Sequence, residues 1–139
     1  MRDFATCRAV LTAMADCGSC TSWSLHDAVT FEQMGIPSVL LCTDEFAPLA
    51  RAESVGKGMG GLPLVVVPHP LADNRPDEVR AKAQAIADEV YAVLTRPAAE
   101  LDAEYRPLYH RLAEVRLGRR AACLDDVCAT DPAGERVSA

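Results

Sequence analysis

At 139 residues, half of them hydrophobic and 24% charged, the chain has the apolar content of one folded domain, which excludes a disordered segment. A formal net charge of −6 argues against nucleic acid or an anionic membrane as partner, since both select clustered Lys and Arg, and leaves small molecules and proteins. No run of about 18 apolar residues is available to span a membrane, and the opening Met1-Arg2-Asp3-Phe4-Ala5-Thr6-Cys7 lacks the apolar stretch of a signal peptide, so the expected location is the cytoplasm.

In chain order, residues 7–14 read as a strand, nearly continuous in apolar character as in a parallel sheet covered on both faces. Cys7, like Cys42 further on, reads there as a small buried hydrophobe. The strand delivers Asp16-Cys17-Gly18-Ser19-Cys20-Thr21, a CxxC pair in a tight turn ahead of a helix. Orphan N–H groups and the helix dipole favour thiolates at that position, which marks Cys17 and Cys20 as the candidates for chemistry. Thr21, Ser22 and Ser24 are all capable N-caps, so the helix start is left open between them, and its body is placed from Trp23 to Met34. Trp23, the only tryptophan, is assigned to the core, and Gly35 follows as the residue that ends the helix.

A second strand covers residues 36–42, with Pro37 at its opening where a missing donor is tolerated, and leads into Thr43-Asp44-Glu45-Phe46. A helix over 46–55 then breaks at Gly56-Lys57-Gly58-Met59-Gly60-Gly61. That cluster follows a helix and precedes a strand, the reverse of a phosphate loop, so no nucleotide site and no cofactor is read from it. The third strand spans 62–67 and ends in Pro68-His69-Pro70, where two prolines stiffen the loop around an imidazole. A long helix over 76–94 turns Val79, Ala83, Ile86, Val90 and Val93 toward the sheet, with Pro76 at its first position. Beyond Pro97 a further helical stripe carries Leu101, Tyr105, Leu108, Leu112 and Val115, for which the sequence offers no intramolecular partner, and Pro107 is expected to kink or divide it. From Gly118 the pattern weakens, and residues 130–139 read as a mobile tail.

Strand and helix alternate three times, which predicts an α/β fold: a small three-layer domain with a parallel sheet of about three strands and an extra C-terminal helix. The expected division is an α/β thiol-site domain over 1–96 and a helical extension with a flexible tail over 97–139. Ligands of such sheets bind outside the strand carboxyl ends. The loops at that edge are the CxxC turn, Thr43 to Phe46, and Pro68 to Pro70, so the reactive side chains gather on one side.

The pieces Asp16-Cys17-Gly18-Ser19-Cys20-Thr21, His26-Asp27-Ala28-Val29, Gly35-Ile36-Pro37-Ser38-Val39, Thr43-Asp44-Glu45-Phe46 and Val67-Pro68-His69-Pro70 together resemble the UGSC family. That family is named for a selenocysteine-Gly-Ser-Cys motif that many members carry as Cys-Gly-Ser-Cys. The arrangement is also distantly similar to the selenocysteine-bearing substrate subunits of glycine-reductase-type complexes. The resemblance implies a redox or covalent thiol role for Cys17, the position that aligns with selenocysteine.

On this basis the expected function is a thiol-dependent enzyme or enzyme subunit acting on a small molecule. Cys17 is its nucleophile, Cys20 its resolving thiol, and a reductant, with a thiol protein as the candidate partner, is required each cycle. The alternatives are a redox-neutral lyase or transferase with Cys17 as nucleophile, and a non-catalytic metal or thiol-binding interaction module. His69 is the candidate acid or base, or orients the thiolate, with a loop histidine hydrogen-bonded to backbone as the alternative reading. Ser19, Thr21, Ser22, His26, Thr43, Asp44 and Glu45 are the candidate substrate-binding residues. For His26 a solvated helical position, and for Asp44 and Glu45 a capping role, explain the residues equally well or better. Cys123 and Cys128 have a spacing that suits a zinc pair poorly, so no metal is expected, and His110 has no role assigned. Open sheet edges and the unpartnered stripe predict a homo-oligomer or a partner subunit.

Overall fold

The computed structural model describes residue 4 and residues 6–108. Its elements are β1 (Val10–Ala15), α1 (Gly18–Gln33), β2 (Ser38–Thr43), α2 (Ala47–Gly56), β3 (Leu64–Val67) and α3 (Pro76–Thr95). A fourth helix, α4, runs over 98–108, where the described residues end. The strands form one parallel sheet in the order β1-β2-β3, as the alternation of elements predicts. Every residue of β2 except the half-buried Leu41 is buried, so at this central strand the sheet is the middle of three layers. Leu25 and Ala28 of α1, Leu40 of β2, Ala50 of α2 and Val65 of β3 are wholly enclosed. Burying a leucine or valine of this kind contributes about 1.5–3 kcal/mol relative to exposure.

The edge strand departs from expectation. Leu11 and Met14 are 45% and 39% exposed, and only Thr12 and Ala15 are buried in β1, so this strand is covered on one face alone. Its pairing with β2 also slips between Thr12 and Ala15. Cys7 lies outside the strand and is exposed, because its N–H donates to the Phe4 carbonyl in a turn and regular pairing starts only where the Val10 N–H reaches the Pro37 carbonyl.

The first helix starts earlier than a count of hydroxyl caps predicts. Cys17 is itself the N-cap, with extended backbone and a sulfur that accepts from the Cys20 N–H. Thr21 and Ser22 are inside the helix and turn their hydroxyls back to the Cys17 and Gly18 carbonyls. At the other end Gly35, at φ +77°, lets the Gly35 and Ile36 amides close on the Glu32 and Phe31 carbonyls. Trp23 is not in the core: it is 71% exposed, and its ring meets His26 edge-on. A tryptophan three residues after an exposed Cys20 stands on the same outer stripe of the helix.

Leu101 and Tyr105 of α4 also correct the expectation of an unpartnered stripe. They are 6% and 7% exposed and join the core cluster that includes Leu62 and Val93. Leu108 is exposed, whereas His110, Leu112, Val115, Gly118, Cys123, Cys128 and the tail lie outside the described residues. On α3 the expected inner face holds at Ile86, Val90 and Val93, while Val79 and Ala83 are exposed.

Candidate functional site

β1 ends at Ala15, and two residues later the chain is helical. This abrupt strand-to-helix turn puts Asp16 and Cys17 at the carboxyl edge of the sheet. Cys17 and Cys20 are joined by a disulfide. The Cys17 sulfur accepts the Cys20 N–H at 3.1 Å and lies 3.6 Å from the Ser19 hydroxyl. The buried Thr21 donates to the Cys17 carbonyl at 2.6 Å, fixing the cap residue from behind. Cys17 is half-buried and Cys20 exposed, so the sulfur pair is accessible from outside.

The loop after β3 is held to this turn by side chains from three elements. Asp16 Oδ2 accepts the Leu71 and Ala72 amides at 3.1 and 2.9 Å, and Asp16 Oδ1 lies 2.9 Å from His69 Nδ1. Asp44 Oδ1 accepts the His69 amide at 2.8 Å and the Glu45 amide at 3.0 Å. From α3, Lys82 Nζ donates to the Pro68 and Pro70 carbonyls at 2.9 and 2.6 Å. Thr43 is fully buried; its hydroxyl donates to the Ala15 carbonyl at 3.2 Å and sits 3.4 Å from His69 Nδ1. Phe46 flanks the same imidazole, ring centre 5.8 Å away. Partial burial would raise the Asp16 carboxyl, but the Ala72 and Leu71 amides and the His69 ring outweigh it and hold Asp16 below the ordinary carboxylate range.

Among the candidates named from sequence, Thr43, Asp44 and His69 are thus brought together, and Ser19 and Thr21 are drawn into the sulfur turn. Ser22 donates to Glu53 of α2 at 2.6 Å, His26 meets Trp23, and the exposed Glu45 contributes its backbone N–H to Asp44. Cys42, one residue from Thr43, is wholly buried, and desolvation pushes its thiol up to about 12, which removes it as a nucleophile at neutral pH. Asp16 and Lys82 carry the site's geometry although the sequence assigns them no role. An acid wedged between a strand end and a CxxC turn is a signal for the first; Lys82 looks like any solvated helix residue. Among the described residues no group of three or more His, Cys, Asp and Glu side chains is arranged to hold a metal, and no helix is long and apolar enough to cross a membrane.

Comparison with known proteins places this geometry in context. The model of the UGSC family matches residues 2–96, a span that contains every residue of the site. Neither a curated protein nor a solved structure matches the chain.

Proposed function

The chain belongs to the UGSC family, and from that membership and the site's geometry we propose that it is a thiol-dependent enzyme or enzyme subunit that uses Cys17 and Cys20 to cleave a small molecule reductively. The observation that carries the proposal is an accessible Cys17–Cys20 disulfide at a helix N-cap, on the sheet edge where a clamped imidazole also stands. In the dithiol state Cys17 thiolate displaces a leaving group X from a substrate R–X, forming a Cys17–R bond. Cys20 thiolate then attacks Cys17 Sγ, and R departs with the bonding electron pair and takes up a proton. The sum is two thiols and R–X going to disulfide, R–H and HX. His69 is the group we assign to move the protons, and Thr43 and Asp44 contact it.

A dithiol reductant protein would return the pair to its thiol form, which suits the cytoplasm, where exposed disulfides are kept reduced. Among the described residues the outer edge of β1 has no strand partner, which supports action as a homo-oligomer or beside a partner subunit.

The test uses a model disulfide, oxidised glutathione, with reduced protein, intact mass and peptide mapping. Cys20→Ser is expected to accumulate one glutathione on Cys17, and Cys17→Ser to form no such stable adduct at position 20. Trapping on Cys20 in the Cys17→Ser variant would reverse the roles. Equal labelling of Cys7 and Cys17 would remove the pair from the mechanism.

A further inference from the structure

Among the described residues His69 is the imidazole tied to the thiol turn, and which of its nitrogens carries the proton decides what it can do. Both polar neighbours of Nδ1 are acceptors. Asp16 Oδ1 lies 2.9 Å away, and the Thr43 hydroxyl at 3.4 Å has its own hydrogen directed to the Ala15 carbonyl. A lone pair on Nδ1 would face the lone pairs of a carboxylate and a hydroxyl, whereas an N–H is attracted to both. The carboxylate cannot turn away, because Oδ2 is occupied by the Leu71 and Ala72 amides and the side chain is only 12% exposed. Oδ1 itself is buried and has no aligned donor, so its charge is compensated by the approach of Nδ1.

We propose that Asp16 is a positioning residue for His69: its carboxylate holds the proton on Nδ1 and leaves Nε2 as the atom that exchanges protons at the thiol site. In the dithiol state Nε2 takes the proton of the attacking thiol and returns it to the departing group, with no net change on the ring. The loop backbone does not depend on this contact, since Asp44 holds the His69 amide and Lys82 the flanking carbonyls. Asp16 thus acts on the ring through Oδ1 and on the loop through Oδ2, and the loop keeps its Asp44 and Lys82 contacts when the charge at residue 16 is removed. The second half of the proposal rests on the thiol role of Cys17; the tautomer does not.

Long-range ¹H–¹⁵N correlation spectra of histidine-labelled protein, taken where the imidazole is neutral, read the tautomer directly. The wild type is expected to show Nδ1 protonated and Nε2 bare. Asp16→Asn should shift the population toward the Nε2-protonated form, while Asp44→Asn, which alters only the grip on the backbone amide, should not. A bare Nδ1 in the wild type, or an Asp16→Asn spectrum identical to it, would overturn the assignment. In the Cys20→Ser background, the rate of the first adduct with oxidised glutathione should fall by a similar factor in Asp16→Asn and His69→Gln, about a hundredfold at the low end for a positioned proton-transfer group. The double variant should be no slower than either. Additive losses would refute action through His69. Failure of the thiol chemistry itself would appear separately, as absence of any Cys17 adduct with the tautomer intact.

Discussion

Reducing the Cys17–Cys20 disulfide should weaken the fold only slightly, because the bridge closes a very short loop. The two residues are three apart in sequence, and the chain-entropy relation gives a loop of this size about 2 kcal/mol of stabilisation. Negative charge developing on the freed Cys17 sulfur at the N-cap would be favoured by the helix dipole by about 0.3–1 kcal/mol. The net loss is about 1–1.7 kcal/mol, which for a domain near 100 residues is a fall in thermal midpoint of roughly 5–8 °C. Circular-dichroism melts at pH 7, with and without a phosphine reductant, measure it, and Cys20→Ser under reductant serves as the control that cannot reclose. A reduced chain already unfolded at 25 °C, or a loss beyond about 4 kcal/mol, would make the bridge a structural staple and contradict a pair that cycles between states.

Acid should reveal Asp16. Its carboxyl is depressed in the folded chain, so the stabilisation is fully present above the ordinary carboxylate value and disappears as pH falls through the lower folded value. Asp16→Asn is expected to flatten that limb of a stability-against-pH curve measured by urea titration, and an unchanged limb would show that the Leu71, Ala72 and His69 contacts do not stabilise the charged form. Gly61→Ala tests the packing of α4: an added Cβ would fall on Asp102 Oδ1 and within 2.8 Å of the Asp102 Cα, so the backbone must shift. The expected cost is about 1–3 kcal/mol, seen as a lower urea midpoint, and an unaltered midpoint would show that α4 is not seated as described.

The alternation of apolar runs with Gly and Pro punctuation was enough to read the parallel α/β order, and the long amphipathic pattern of α3 located that helix within a residue at either end. What the pattern left out has identifiable causes. The start of α1 was misplaced because Thr21, Ser22 and Ser24 advertise caps, while the actual cap is a cysteine sulfur, an acceptor that propensity scales do not favour. A lone tryptophan such as Trp23 reads as core by its usual habit, yet its position three after Cys20 fixes it on the outer face of the helix. At the site, His69 and Asp44 were legible as loop residues at the strand ends. The clamp that joins them was not, since contacts such as Asp16 to Leu71 or Lys82 to Pro70 depend on how loops from different strands fold over one another. The partner of Leu101 and Tyr105 was likewise hidden, because it is assembled from residues spread from Leu62 to Val93.

The slipped register between Thr12 and Ala15 bears on how copies of this chain behave when crowded. An edge strand without a strand partner among the described residues, carrying exposed Leu11 and Met14, would ordinarily be a template for adding a foreign strand, the first step toward a fibril. Among the described residues, regular pairing of β1 runs only from Val10 to Thr12 before the irregularity bends the strand. An irregular strand of this kind presents an uneven row of N–H and C=O groups to a newcomer. Assembly through this flank would then rest on side chains packing face to face rather than on a shared ladder.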